Sequence, residues 1–147
     1  MKLQFPQPKL TNFSLALSIA LFVTCFFFPA YEVAGKSGPY LESPLEVLIT
    51  GWLGAHYSML EWYANPLLLI SWLLAIYKSY ALSFLSALGA IYLGLSFLAR
   101  KQMVLDTSPN YGDITGHGPG YWLWIASMAL SLFTATAGAI AVHRKRL

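Results

Sequence analysis

Four apolar runs, separated by short polar breaks, dominate the pattern along the chain. Residues 11–30, 81–99 and 121–142 contain no Asp, Glu, Lys, Arg or His. A fourth run, 62–80, opens on Trp62 and stays free of charge as far as Tyr77. A helix needs about 20 apolar residues to cross the hydrocarbon core of a bilayer. The pattern therefore predicts an all-α integral membrane protein, with four transmembrane helices in a single domain over residues 1–147.

The breaks have their own signals. Ser43-Pro44-Leu45-Glu46 reads as an N-cap, a proline at the first helical position and a glutamate closing a capping box. Apolar residues then recur at Leu45, Leu48, Ile49, Trp52, Leu53 and Leu60, which predicts a helix over 44–63. Trp52, Tyr57, Trp62 and Tyr63 have rings that favour the headgroup level, so this is read as an interfacial helix in the first outer loop. Gly51 and Gly54 weigh against it, each costing roughly 1 kcal/mol relative to alanine. Asn65-Pro66 reads as the N-cap and first residue of the second spanning helix. The alternative is one helix from about Ser58, kinked at Pro66. Under the first reading Glu61 faces the wet interface. The second outer loop, 100–120, is rich in Gly, Pro, Asp and Asn, and predicts turns.

Composition reinforces the membrane reading. The chain is 57% hydrophobic and 10% charged, against about 25% charged in ordinary soluble domains. Orientation follows from the basic residues, which favour cytoplasmic loops. With the N-terminus inside, Lys2, Lys9, Lys78, Arg144, Lys145 and Arg146 are cytoplasmic, while Lys36, Arg100 and Lys101 are outside. Glu32, Glu42, Glu46, Glu61, Asp106 and Asp113 also fall outside. Both termini are thus expected in the cytoplasm. The first run lacks a convincing cleavage site, and threonine precedes Cys25, which makes a poor lipoprotein signal, so this run is expected to remain as a helix.

Inside a bilayer, small residues let helices approach closely. Stripes at four-residue spacing occur at Ala16, Ala20 and Thr24, at Ser86, Ala90 and Gly94, and at Ser127, Ser131, Ala135 and Ala139. Their expected use is packing within the bundle, with a homo-oligomer interface second. Ser18, Thr24, Ser71, Ser96 and Thr134 are expected to bond their own backbone or a neighbouring helix.

Candidate chemistry is sparse. A single cysteine, Cys25, excludes an intramolecular disulfide and a paired-cysteine redox centre. His56, His117 and His143 lie outside the runs, so haem between the helices has no ligand. No cofactor and no nucleic-acid partner is implied. His56, Glu61 and Asn65 form a candidate polar cluster at the outer interface, which could gain metal ligands only from Asp106, Asp113 and His117 of the second loop. Glu61 and Asn65 are spaced as in the membrane glutathione and eicosanoid enzymes. Trp62 and Leu68 or Leu69 stand where that pattern needs an arginine and an acid.

Two segments carry a resemblance. Trp62, Ala64, Asn65, Pro66 and Leu67 form W-x-A-N-P-L, and Gly118, Gly120, Tyr121, Leu123, Trp124, Ala126 and Ser127 form G-x-G-Y-x-L-W-x-A-S. Together with "LITGWLG" they resemble a recurrent type of small bacterial four-helix inner-membrane protein. The resemblance implies topology, with Tyr121, Trp122 and Trp124 seating the last helix at the headgroups, and carries no activity. The functional expectation is a non-catalytic accessory or assembly subunit, or a partner-coupled sensor, whose partners are lipid and other membrane proteins or a second copy. A small oligomeric channel or carrier is the alternative. An enzyme using the outer-interface cluster is the second alternative.

Overall fold

The computed structural model describes residues 7–35, 38–105 and 110–144. Lys2, Lys36, Asp106, Lys145 and Arg146, which entered the charge and metal readings, lie outside the described residues. Four long helices run α1 (Gln7–Cys25), α3 (Ala64–Ile76), α4 (Tyr80–Ser96) and α5 (Pro119–Arg144). They form an up-down-up-down bundle. α1 is antiparallel to α5, with Ser14 beside Thr134 and Ser18 beside Ser127. α3 and α4 form a tight hairpin whose turn carries Lys78 at positive φ. That turn, the start of α1 and the end of α5 lie at one end of the bundle. The other end is capped.

The cap corrects the all-α expectation. Strands β1 (Tyr31–Gly35), β2 (Gly38–Leu41), β3 (Gln102–Val104) and β4 (Tyr111–His117) form an antiparallel sheet in the order β2-β1-β4-β3. The second outer loop is thus largely strand rather than a succession of turns. In β1 the side chains alternate, with Tyr31 and Val33 buried and Glu32 and Ala34 turned outward. The inward residues pack on Phe97 and Tyr121 at the mouth of the bundle. A short strand buries too little by itself, and β1 is held between β2, from Glu32↔Leu41 to Gly35↔Gly38, and β4, from Tyr31↔His117 to Ala34↔Asp113.

The interfacial helix expected over 44–63 is broken. α2 covers only Pro44–Thr50, followed by a 3₁₀ segment at Gly51–Tyr57 and a 3₁₀ turn at Glu61–Tyr63, with Ser58 left-handed between them. The glycines explain the fold-back. The Trp62 ring lies where a Cβ on Gly51 would be, and Met59 packs on Gly54. Trp62 Nε1 donates to the Leu48 carbonyl at 2.9 Å, closing this strap on itself. The capping box does not form either. Pro44 is at the start of α2, but the Ser43 side chain makes no cap bond, and the Ser43 carbonyl accepts from the Val47 N–H instead.

Among the described residues two helices, 80–99 and 119–144, are long and apolar enough to cross a membrane, which is two rather than the expected four. α1 ends at Cys25, because Pro29 and β1 draw the chain out over the cap. α3 has 13 residues, preceded by the 3₁₀ turn.

Candidate functional site

Sequence spacing grouped His56, Glu61 and Asn65; in the structure Glu61 and Asn65 line one cavity, and His56 is not among its lining residues. His56 is exposed on the strap. Glu61 does not face water: Oε1 accepts from Arg100 Nε at 2.6 Å, and its side chain is 12% exposed. Arg100 NH2 also donates to the Ser58 carbonyl at 3.2 Å, so the guanidinium ties the strap to the end of α4. A planar fork suits such a partly buried pair better than a lysine ammonium does. Among the described residues no group of His, Cys, Asp and Glu is arranged to hold a metal.

Asn65 is not a cap. α3 already begins at Ala64, and the residue at its N-cap, Tyr63, makes no side-chain cap bond. Asn65 lies inside the first turn, 7% exposed, and its Oδ1 accepts from Trp124 Nε1 at 2.8 Å. A helical residue points its side chain at its neighbour helix, and here the neighbour is α5. Neither the kink nor the cap reading foresaw this bond, although the two resembling segments hold one partner each.

The second segment also has a packing reason. Gly118 and Gly120 lie under the chain leaving α1, their N–H groups donating to the Ala30 and Pro29 carbonyls at 2.8 and 3.0 Å. A Cβ on Gly118 would meet the Pro29 carbonyl oxygen, and one on Gly120 that of Phe28. Of the three aromatics read as headgroup anchors, only Trp122 is exposed. Tyr121 is buried, its hydroxyl donating to the Gly94 carbonyl at 2.9 Å, and Trp124 is held by Asn65.

The packing stripes divide. Ala16, Ala20 and Thr24 face outward, and Thr24 donates to the Ala20 carbonyl of its own helix. The inward face of α1 is Thr11, Ser14, Ser18 and Cys25. Ser86, Ala90 and Gly94 are buried, as are Ser127, Ser131 and Ala135. Ala139 is half-buried, and Gly138 beside it takes the close contact, against the Tyr80 ring.

The buried hydroxyls form a network. Ser18 donates to the Ser127 carbonyl and Ser127 to that of Ser18, at 2.7 and 2.8 Å. Ser71 and Ser83 clasp α3 to α4 in the same way, at 3.1 and 2.8 Å. Ser71 also meets Ser131 Oγ at 2.8 Å, and Trp72 Nε1 donates to Ser18 Oγ at 2.9 Å. Each hydroxyl can both donate and accept, so these bonds satisfy a polar interior that would otherwise be costly.

Under the strap lies a partly open cavity of about 390 Å³, walled by the outer ends of α1, α3 and α5 and by the sheet. Its lining is mostly apolar, but Glu42, Glu46, Glu61 and Asn65 also reach it. Burial, and then the charge of Glu46, raises the Glu42 carboxyl above its ordinary value. Sequence reasoning used Glu42 only as an outer charge, because nothing local marks a strand-end acid as a cavity wall.

No protein-family model, no curated protein and no solved structure matches this chain.

Proposed function

We propose that the chain is an integral membrane protein whose four long helices all lie in the bilayer, acting without catalysis as an accessory or assembly subunit or a partner-coupled sensor. One observation supports this reading: the bundle buries a set of hydroxyls among its apolar core residues while leaving many large apolar side chains exposed. Ser18, Ser71, Ser83, Ser127, Ser131 and Thr134 are almost wholly buried, while Phe13, Leu73, Leu85, Tyr92 and Phe133 are exposed. Water selects the reverse arrangement, and exposed apolar surface on that scale does not persist on a soluble monomer. In a bilayer, interhelical hydroxyl bonds and small-residue contacts hold helices together while large apolar side chains meet lipid. α3, about 20 Å long at 1.5 Å per residue, is short for a span, and local thinning accommodates such a mismatch.

The charges and the resemblance favour a bacterial inner membrane, with the α3–α4 turn and both termini in the cytoplasm and the sheet outside. Association rather than transport is favoured because the interior hydroxyls are engaged with one another. The enzyme reading loses support, since Glu61 is paired with Arg100 and His56 stands apart.

The test is gentle detergent extraction followed by mass measurement of the particle. A complex containing a second copy or a stoichiometric membrane partner is expected. A monodisperse single chain with nothing bound contradicts association. Release from membranes by alkaline carbonate alone contradicts membrane embedding.

A further inference from the structure

The cavity under the strap carries three marks of its occupant. Its wall is largely aromatic and aliphatic, including Phe22, Phe26, Tyr121 and Trp124, and its volume of about 390 Å³ falls within the usual range for small-molecule sites. Glu42 and Glu46 share that wall, and neither has a cationic partner among the described residues, where the ion pair is Glu61 with Arg100. Asn65 is the third mark. An indole N–H can only donate, so Trp124 fixes the carboxamide with its oxygen toward α5. That leaves the NH2 as the donor Asn65 offers to the cavity it lines.

We propose that this cavity binds an amphiphilic amine. The apolar body lies along Phe22, Phe26 and Trp124, an oxygen acceptor meets the Asn65 NH2, and the ammonium head sits between Glu42 and Glu46. Each part answers a feature of the wall: apolar side chains, an amide donor, and two carboxylates with no cationic partner among the described residues, Glu42 being bonded by the Tyr40 hydroxyl. α1 and α3 are loosely packed neighbours, joined through Trp72, whose ring lies edge-on to Phe22 and whose N–H reaches Ser18. Toward the cap from that bridge, both helices line the cavity. An amine-headed bilayer lipid and a free hydrophobic amine share this chemistry. Only the lipid source rests on the membrane reading above.

The test uses the full chain in a maltoside detergent, titrated with dodecylamine, with dodecanol and dodecanoate as length-matched controls. Tryptophan fluorescence reports, because Trp62 and Trp124 line the cavity. Saturable one-to-one binding of dodecylamine is expected, with both controls weaker. The Glu42→Gln/Glu46→Gln double variant should weaken dodecylamine binding by at least about tenfold. Glu46→Gln alone, at an exposed position, should weaken it less and serves if the double variant fails to fold. Equal binding of dodecanol, or unchanged affinity in a folded variant, overturns the proposal. Lipid retained from nanodiscs of mixed phosphatidylethanolamine and phosphatidylglycerol separates the sources. Enrichment of the amine lipid marks the bilayer, and dodecylamine binding without enrichment marks a free amine. A chain that leaves membranes without detergent yet still binds dodecylamine defeats the membrane reading and leaves this one standing.

Discussion

Ser18 of α1 and Ser127 of α5 each donate a hydrogen bond to the other's backbone carbonyl, at 2.7 and 2.8 Å, and both are fully buried. Each hydroxyl thus occupies a carbonyl on the opposite helix, so the two backbones are held at a fixed height and close separation. Ser18 additionally accepts from Trp72, which brings in α3. Interhelical bonds of this kind contribute about 0.6 kcal/mol on average and up to about 1.7 kcal/mol. Ser18→Ala removes two of them and should destabilise the bundle by about 1–2 kcal/mol in detergent unfolding. Ser127→Ala should cost less, and Thr136→Ala, an exposed hydroxyl bonded within its own helix, close to nothing. Equal effects at all three positions would show that the clasp contributes nothing special.

Asn65 and Trp124 give the second prediction. Asn65→Leu leaves the indole N–H unpaired in a largely buried site and should cost about 1–3 kcal/mol. Trp124→Phe removes the donor, so the double variant should lose less than the sum of the singles, with a coupling of about 1 kcal/mol. Asn65→Ser discriminates further, because serine caps helices well but is too short to reach Trp124. It should resemble the leucine variant in melting temperature. Stability like that of the parent would restore the cap reading.

The helical runs were legible because a 3.6-residue helix needs no partner to declare itself, only a long apolar stretch. The ends were less so, since the chain leaving α1 at Pro29 and the first turn of α3 at Asn65 are held by Gly120 and Trp124, which lie far away in sequence. The sheet was not legible. Its strands have three to seven residues, too few for a firm period-two signal, and β1 pairs with β4 across the whole helical hairpin. On α1 the small-residue rule chose the wrong face. Ala16 and Ala20 are small, but Ser14 and Ser18 are small and also bond α5, and theirs is the face that is buried. Of the candidate polar cluster His56, Glu61 and Asn65, the structure gives partners to Glu61 and Asn65. Their partners, Arg100 and Trp124, could not be read from i+4 spacing.

Glu42 sets a pH dependence. Its folded value lies above the ordinary carboxylate value because of burial and then Glu46, with Tyr31 and Tyr40 the other titratable groups around it. The folded state therefore holds this proton more tightly than the unfolded chain does. The contribution of Glu42 is most favourable below the unfolded carboxylate value and declines as pH rises through the folded one. Glu42→Gln should raise the melting temperature at pH 7 and leave it nearly unchanged below about pH 4. A melting temperature lowered at pH 7 would mean that the Tyr40 hydroxyl bond to the carboxylate outweighs its burial and the charge of Glu46.

The central claim is that four helices lie in the bilayer with the sheet on one side and the turn and termini on the other. Single cysteines, placed in a Cys25→Ala background, test it with a membrane-impermeant maleimide on intact and permeabilised cells. Tyr57 and Thr115 positions on the cap should label in intact cells. Lys9, Lys78 and Arg144 positions should label only after permeabilisation. Leu17, Leu73, Leu85 and Phe133, exposed on α1, α3, α4 and α5, should resist the reagent in both states because lipid covers them. Ready labelling of Leu17 or Leu73 would place α1 or α3 in water and contradict the four-helix membrane bundle.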